Sequence, residues 1–370
     1  RDCLLSRGLG DVYKRQEKAP VPYPPVLHSL ASASTITWLI HQKFELSIPL
    51  YRQEKEWEAL GLRLSRATMS NWLLVVYRDW LVHIVHRLKL ELLKQRYLHI
   101  DETHVQVLKE PGRKNTSDSY MWVYCSIRDA VNPIRYFEYQ PGRSGKYPEA
   151  FLREYEGYIH TDAYSGYNAV SGVKRCLCYT HLRRAFVDAL PKDIHNSEAS
   201  KPAEAILRLN QLFNIESELE ALPPDQKKKE RLIREKPLLE AFWSWAEKSA
   251  IGELPKSKLS KAFHYALNNR EGFWNYLEDG NCSISNSLAE NCIRPFVIGR
   301  KNWLFSGSPK GAEASAGIYT LVETAKANGL APMKYIKYIL SDMPGSAFLE
   351  HPEYLDDYLP WNPLVKEFCR

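Results

Sequence analysis

The sequence lacks several features that would place a chain in a particular class of protein. No apolar run reaches the length of a transmembrane helix, and no segment has the pattern of a secretory signal peptide. Its seven cysteines form an odd, scattered set, which is typical of reduced thiols rather than of a disulfide framework. No internal repeat or low-complexity block is present. These absences favour a globular protein of the cytoplasm.

The length and composition predict more than one folding unit. At 370 residues the chain exceeds a typical domain, so two or three units are expected. Hydrophobic residues make up 44% and aromatic residues 12% of the chain, which is enough to build sizeable cores. The formal net charge of +6 permits a nucleic-acid partner but does not establish one.

The first sixteen residues show no pattern from which a helix or a strand can be predicted. The stretch RDCLLSRGLGDVYKRQ has neither a helical nor a strand period, and it resembles a translated sequencing adaptor. A natural disordered tail is the alternative. Residues 1–16 are therefore expected to be a leader without a function, and we expect the natural protein to begin further upstream.

Residues 17–95 predict a proline-rich linker followed by helices. An amphipathic helix is expected over 48–60, Gly61 ends it, and Ser65 is a plausible N-cap for a helix that starts at Arg66. This outline matches a helix-turn-helix, in which Arg66 and Thr68 would contact DNA from the leading turn. The alternative is a helical collar that packs against the rest of the protein.

After residue 95 the spacing of hydrophobic residues changes from that of helices to that of strands. Over 96–192 the order is three strands, a helix, a strand, a short helical turn, a strand and a helix, which is the order of an RNase H-like fold in the mixed α/β class. An all-helical insertion is expected over 193–282. The core resumes over 283–330 with two helices, and 331–370 is expected to hold a C-terminal helix and tail.

Three acidic residues lie where they could form one metal site. Asp101 in YLHIDETHV and Asp162 in GYIHTDAYSGY each end a β-like apolar run, whereas Glu290 lies on a helix-like run with basic residues after it. Carboxylates in this arrangement suit magnesium-dependent chemistry on a phosphate backbone. The pattern predicts a protein that cuts and joins DNA, with the three carboxylates brought together by folding.

Other acids compete for these roles. Glu102 follows Asp101 directly and points to the opposite face of a regular strand. Glu313 and Glu323 lie on the next predicted helix and could replace Glu290 as the third acid.

Longer motifs carry a resemblance to a known family. The segments DET, TDAYSGY, CYTHLRRAF, NSLAENCIRPFVIGRKNWLFSGSPKGA, YTLVETAKANGL and LPWNP resemble the DDE transposases of insertion-sequence family sixty-six. The similarity runs over about 21–363, and the block over 286–312 is its most specific part. Family members usually carry an amino-terminal zinc-finger region, and nothing in this chain matches it.

The resemblance implies a chemistry and a set of partners. The two Asp and the Glu of the family fall on Asp101, Asp162 and Glu290, which would bind two Mg²⁺ ions, with Mn²⁺ as a substitute, and Asp101 would bridge both ions. The implied partner is DNA, both the terminal inverted repeats of the element and the target. A homo-oligomer on the paired ends and accessory proteins of the same element are also expected.

Basic and aromatic residues near Glu290 are candidate DNA contacts. Phosphate contacts are expected from Arg294, Arg300, Lys301 and Lys310. Arg300 and Lys301 follow a glycine in a loop-like stretch. Trp303 and Phe305 could stack on an unpaired base, and core packing is the alternative for both.

The spacing of Cys176, Cys178 and His181 suggests zinc, but a fourth ligand is missing unless His160 supplies it. We favour the simpler hypothesis, in which Cys178 is buried and His181 opens the next helix near the active site. There His181 would contact DNA or order a water, and the same helix start carries two further candidate contacts, Arg183 and Arg184.

The sequence is also compatible with two other functions. One is a different RNase H-like DNA nuclease, such as a resolvase, although such enzymes typically lack the GRKNWLFSGS block and the large insertion. The other is a truncated, inactive DNA-binding remnant, against which the intact acid triad argues.

Overall fold

The computed structural model of the chain describes residues 23–191 and 200–370. The leader predicted over 1–16 and the start of the predicted linker and insertion lie outside the described residues. Within these two ranges, none of the helices combines the length and the apolar character that crossing a bilayer requires.

The region before the sheet is helical, as predicted. Ser65 caps the third helix, since its hydroxyl accepts a hydrogen bond from the Thr68 amide, and Gly61 has φ of +85° in the turn before it. The predicted helix over 48–60 is confirmed to within two residues at each end. The helices are α1 (Ala33–Ile40), α2 (Leu50–Ala59), α3 (Arg66–Val76) and α4 (Val82–Leu93), with π-helical turns at His41–Glu45 and Tyr77–Leu81.

The described strands form one mixed sheet. Its order is β3-β2-β1-β4-β5, with β1 antiparallel to β2 and parallel to β4, and a short β6 pairs with the far end of β1. The strands are β1 (Tyr97–Val107), β2 (Asp118–Ser126), β3 (Arg135–Gln140), β4 (Gly157–Thr161), β5 (Val173–Leu177) and β6 (Phe305–Ser306). The prediction of a mixed α/β fold with an RNase H-like core is therefore confirmed.

Helices in the predicted order connect and flank these strands. They are α5 (Lys146–Phe151), a 3-10 turn at Ser165–Ala169, α6 (Tyr179–Val187), α12 (Ser287–Trp303) and α13 (Pro309–Ala327). The chain ends with α14 (Pro332–Asp342) and α15 (Pro363–Cys369). Gly329, with φ of +71°, ends α13 as the sequence predicts.

Helix α13 packs along the edge strand β3. The hydroxyls of Thr320 and Thr324 accept hydrogen bonds from the amides of Phe137 and Arg135, at 2.8 and 3.0 Å. The helix thereby satisfies buried backbone donors that an edge strand would otherwise leave without a partner.

The predicted insertion is helical, and its apolar residues share a core with β5 and α6. Buried residues of α6, among them Phe186, pack against Leu209, Trp243 and Phe263 of the insertion. The helices are α7 (Lys201–Glu218), α8 (Pro224–Glu230), α9 (Lys236–Ala250), α10 (Lys258–Asn268) and α11 (Arg270–Trp274). Because α6 follows β5 directly, the insertion is attached beside the carboxyl ends of β4 and β5.

One local prediction was wrong. Arg300 and Lys301 lie in the last turn of α12, which continues through Gly299 to Trp303, and not in a loop. Gly299 is tolerated because it is packed: a Cβ there would meet the Trp303 ring at 1.9 Å.

Candidate active site

The pairing of β1 with β4 places Asp101 beside Asp162. His99 lies opposite His160 in this parallel pair, and the two imidazole rings stack with their centroids 4.2 Å apart. Asp101 follows His99 by two residues, and Asp162 follows His160 by two. Side chains two residues apart share a face of a strand, so the two aspartates are neighbours at the carboxyl end of β4.

Asn286 positions the third acid. Its side-chain amide donates a 2.8 Å hydrogen bond to the Ile100 carbonyl, and its Oδ1 lies 3.0 Å from His99 Nδ1. Asn286 is only 1% exposed and immediately precedes α12. Since Glu290 lies in the first turn of α12, this bond holds the Glu290 end of the helix against the strand that carries Asp101.

Asp101 lies in the electrostatic field of the other acids. Burial, and then the charges of Glu102, Asp162 and Glu290, raise the pKa of Asp101 to about 7. Glu290 Oε1 is buried and has no hydrogen-bond partner among the described residues. The arrangement is open, because the three acids are not among the described clusters whose ligand atoms all lie within 4.8 Å of one another. Half-buried like charges with an unsatisfied oxygen favour a bound cation.

Glu102 is engaged elsewhere. Strand alternation turns it away from the Asp101 face, and its carboxylate lies 2.6 Å from Arg143 Nη2 and accepts a 2.5 Å hydrogen bond from Tyr167. Arg143 Nη2 also lies 4.0 Å from Asp162 Oδ2. Arg143 therefore links the Glu102 ion pair to the acid group, and both carboxylate oxygens of Glu102 already have hydrogen-bond partners.

Arg175 fixes the segment that carries Asp162. Its guanidinium donates to Thr161 Oγ1 at 2.7 Å, to the Asp162 carbonyl at 2.5 Å and to the Tyr164 carbonyl at 2.8 Å. Asp162 Oδ1 in turn accepts a 3.0 Å hydrogen bond from the Tyr164 amide. These bonds hold the loop after β4 in one conformation, and Arg175 does so without contacting the Asp162 carboxylate.

Cys178 and His181 lie beside Glu290, whereas Cys176 does not. A ring nitrogen of His181, the Cys178 sulfur and a Glu290 oxygen all lie within 4.8 Å of one another, with His181 Nε2 3.8 Å from Glu290 Oε1. Cys176 belongs to a separate buried group with His160 and Cys282. The three residues considered for zinc are thus divided between two clusters.

The same contacts shift the pKa values of Cys178 and His181. Interaction with the Cys178 thiol raises the pKa of His181 despite burial, and the charges of Glu290 and Asp162 act in the same direction. Burial alone would raise the pKa of Cys178, but its hydrogen bonds to His181 and to the Asn286 amide lower it. The hypothesis of a buried Cys178 and a site-adjacent His181 agrees with this placement.

The predicted basic contacts fall into two groups. Arg183 donates a 2.8 Å hydrogen bond to Asn210 of the insertion, and Arg300 donates to Thr103 Oγ1 at 2.9 Å and to the His104 carbonyl. Those two side chains hold elements of the fold together. Side chains left exposed to solvent are Arg184, Arg294, Lys301 and Lys310.

Arg184 is the best placed of the exposed group. It lines an open cleft together with Asp162, His181, Arg143 and Tyr265. A phosphate that enters this cleft would meet two guanidinium groups beside the acids.

The two aromatic candidates differ in their surroundings. Trp303 packs on Gly299 and lies 6.3 Å, between ring centroids, from Tyr319, whereas Phe305 on β6 is 45% exposed. The contacts favour the packing alternative for Trp303 and leave Phe305 accessible.

Arg66 and Thr68 lie on the exposed first turn of α3, away from the acids in sequence and behind the glycine turn. Their exposure agrees with the helix-turn-helix outline, and their contact with DNA stays a prediction.

Sequence analysis missed three positioning residues, namely Asn286, Arg143 and Arg175. Asn286 opens the NSLAENC motif and so lies inside the block over 286–312, whereas Arg143 and Arg175 lie outside the segments that carry the resemblance. No local pattern marks their roles, because the site residues that they contact lie 11 to 187 positions away in the sequence.

Comparison with known proteins gives a family match. A family model described as "Transposase IS66 family" matches residues 28–314. Three uncharacterized proteins of Sinorhizobium fredii, y4hP, y4qI and y4jD, are 26%, 27% and 25% identical over 93% of this chain. The matches cover 64%, 65% and 68% of those relatives, so the chain spans just under two thirds of the length of the first two.

Proposed function

The chain belongs to the IS66 family of transposases, and on this premise we propose that it cleaves and joins DNA strands at the ends of an insertion sequence. Family membership implies DNA as the partner. The observation that supports the mechanism is the register of β1 with β4, which brings Asp101 and Asp162 to neighbouring strands, while Asn286 joins the start of the Glu290 helix to β1.

The donor set fits divalent cations. All three side chains offer oxygen, Asp101 is largely buried among like charges, and Glu290 Oε1 has no other described partner. Asp101, Asp162 and Glu290 would hold two Mg²⁺ ions, or Mn²⁺ in their place, which when bound stabilise charge on the attacking and leaving oxygens of a phosphodiester.

The remaining residues bind and orient the DNA backbone. Arg143 is held in place by Glu102 and lies over the Tyr164 ring at 4.0 Å, so its guanidinium is presented to the cleft in a fixed orientation. Arg184 lines the cleft, and Arg294 lies one helical turn after Glu290 on α12. Both are exposed, and neither has a carboxylate partner among the described ion pairs. We assign these three side chains to the phosphates that flank the scissile bond.

The larger assembly is also part of the proposal. A homo-oligomer on the paired ends would bind the terminal inverted repeats and the target DNA together. Accessory proteins of the same element would assist this assembly. The helices before the sheet would contribute Arg66 and Thr68 to recognition of the ends.

Asp101→Asn tests the mechanism. We expect this variant to lose magnesium-dependent nicking of the element's terminal repeats and to keep nearly all DNA binding, because a ligand oxygen is lost but no basic contact is. Asp129→Asn is the matched control, since Asp129 is an exposed acid in the turn between β2 and β3. Nicking by Asp101→Asn at the normal rate would remove Asp101 from the catalytic group.

Product analysis separates the proposed function from its two alternatives. A transposase joins the cut end to target DNA, a resolvase-type nuclease cuts without joining to a new target, and an inactive remnant binds without cutting. Joined products that disappear in Asp101→Asn and persist in Asp129→Asn would support the transposase.

A further inference from the structure

We propose that Cys178, His181 and Glu290 form a binding site for a thiophilic divalent cation such as Zn²⁺, separate from the oxygen-only site but sharing Glu290 with it. The donor atoms already lie together: a His181 nitrogen, the Cys178 sulfur and a Glu290 oxygen are all within 4.8 Å of one another. Tetrahedral zinc sites place a sulfur, a nitrogen and an oxygen at comparable separations, since each ligand lies 2.0–2.3 Å from the ion in general.

The three side chains are held for this arrangement by the surrounding fold. Cys178 immediately precedes α6 and His181 lies in its first turn, so their separation is fixed by one helix start. The Asn286 amide donates to Cys178 Sγ at 3.2 Å, which is the kind of N–H contact that stabilises a coordinating thiolate. Glu290 Oε1 faces His181 Nε2 at 3.8 Å and has no hydrogen-bond partner among the described residues.

The neighbouring cluster of His160, Cys176 and Cys282 is a weaker candidate. His160 Nδ1 lies 3.1 Å from the Leu98 carbonyl, to which it can only donate, and its Nε2 accepts a 2.8 Å hydrogen bond from the Ser283 amide. Both nitrogens are therefore occupied, and no imidazole lone pair is free for a metal ion.

The chemistry of the donors selects the cation. Sulfur and imidazole favour Zn²⁺ and similar ions over Mg²⁺, which prefers oxygen. Three protein ligands leave one position open, and the cleft lined by Asp162, His181 and Arg184 gives solvent access to it. One cation bound here would hold Glu290 and so compete with a Mg²⁺ ion that uses the same carboxylate.

The expected competition between the two cations rests on the proposed function, because it assumes that Glu290 is also a ligand of Mg²⁺. The binding site itself does not, because it can be measured on the protein without DNA.

Cobalt is the probe, because Co²⁺ occupies zinc sites and a thiolate ligand gives it an intense near-ultraviolet charge-transfer band. We expect the full chain to develop this band on titration with Co²⁺, and Zn²⁺ to abolish it by displacement. Cys178→Ser should lose the band while keeping an oxygen that can accept from Asn286, and His181→Gln should weaken Co²⁺ binding at least about tenfold. Cys176→Ser is the matched control, a buried thiol two residues away that faces the other cluster.

The outcomes are distinct. Loss of the band in Cys178→Ser together with its retention in Cys176→Ser supports the site. The opposite pattern assigns the ion to the His160 cluster and overturns the proposal, as does the absence of any thiolate band in a protein whose far-ultraviolet circular dichroism is unchanged.

A second titration tests the shared ligand. Excess Mg²⁺ should weaken Co²⁺ binding to the full chain, and Glu290→Gln should abolish that dependence. If Co²⁺ binding through Cys178 is found but Mg²⁺ has no effect on it, the two sites do not share Glu290. If Asp101→Asn still nicks DNA normally, the proposed function fails while the cobalt result stands.

Discussion

Asn286 donates its side-chain amide to the carbonyl of Ile100, the residue directly before Asp101, at 2.8 Å. The two residues are 186 positions apart in the sequence. This bond and the 3.0 Å contact of Asn286 Oδ1 with His99 Nδ1 join the start of the helix that carries Glu290 to the strand that carries Asp101, so the geometry of the acid group depends on Asn286.

Asn286→Ala should therefore impair the reaction more than the fold. We expect cleavage to fall about 100-fold, because a misplacement of about 1 Å at reacting groups costs that much. The loss of two buried hydrogen bonds should lower the free energy of unfolding by about 1–3 kcal/mol. Single-turnover kinetics measures the cleavage rate, and thermal unfolding measures the stability. Asn302→Ala on α12 is the control. A variant that loses stability but cleaves normally would show that Asn286 does not position Glu290.

We expect Arg300 to stabilise the fold and Lys301 to bind DNA. Lys301→Ala should lower the slope of log binding constant against log salt by about 1 with no change in melting temperature, because an exposed phosphate contact is lost. Arg300→Ala should cost about 1–2 kcal/mol of unfolding free energy, because its bonds to Thr103 and His104 are lost. Salt-dependent binding and denaturant unfolding of each variant test this. Equal effects of the two variants on stability would contradict the assignment.

Glu235→Gln should stabilise the protein at high pH. Burial, and then the charge of Glu216, raise the pKa of the Glu235 carboxyl to about 8. In the unfolded chain the group titrates near 4.5, so the folded state holds a proton that the unfolded state releases as the pH rises between the two values. The native carboxyl thus contributes its full stability below about pH 4.5 and loses it progressively up to about pH 8.

The neutral amide does not titrate and can still accept the 2.6 Å hydrogen bond from Tyr276. The variant should therefore be more stable than the natural protein at pH 9 by about 1 kcal/mol or more, and the difference should shrink toward pH 5. Urea unfolding over this pH range measures it. A difference that is independent of pH would mean that Glu235 is ionised in the folded protein.

Thr320→Val should destabilise the edge of the sheet. The substitution removes the oxygen that accepts from the Phe137 amide and leaves a buried donor unsatisfied, at a cost of about 1–3 kcal/mol. Thr116→Val, at an exposed position between β1 and β2, is the matched control. Hydrogen exchange at Phe137 should accelerate in Thr320→Val only. An unchanged exchange rate there would show that the threonine hydroxyl does not protect the strand.

Local periodicity was enough to predict most elements of the fold. The alternation in β1, the cap at Ser65 and the end of α13 at Gly329 each depend on residues within one or two turns of one another, so a single stretch of sequence contains the information. The same locality explains the error at Arg300. A glycine two residues before Lys301 suggested a loop, but Gly299 is packed against Trp303 and Tyr319 and the helix continues.

The candidate site was only partly predictable. Asp101, Asp162 and Glu290 could be proposed because each stands in a recognisable segment. The pairing of β1 with β4 brings Asp101 and Asp162 to neighbouring strands, and the joint role of the three acids stays a prediction. The separation of Cys176 from Cys178 into two clusters could not be predicted from their spacing. Their neighbours, Cys282 and Glu290, come from segments about a hundred residues further along the chain.

The amino-acid sequence alone established the order of strands and helices, the helix caps and the acids at the ends of the apolar runs, because these follow from interactions between near neighbours. Tertiary structure decided that His99 pairs with His160, that Asn286 reaches Ile100, and that Arg300 bonds to β1 rather than remaining free. Those contacts join residues 61 to 197 positions apart. Their selection depends on the summed packing and hydrogen bonding of the whole sheet and its helices, which no single segment contains.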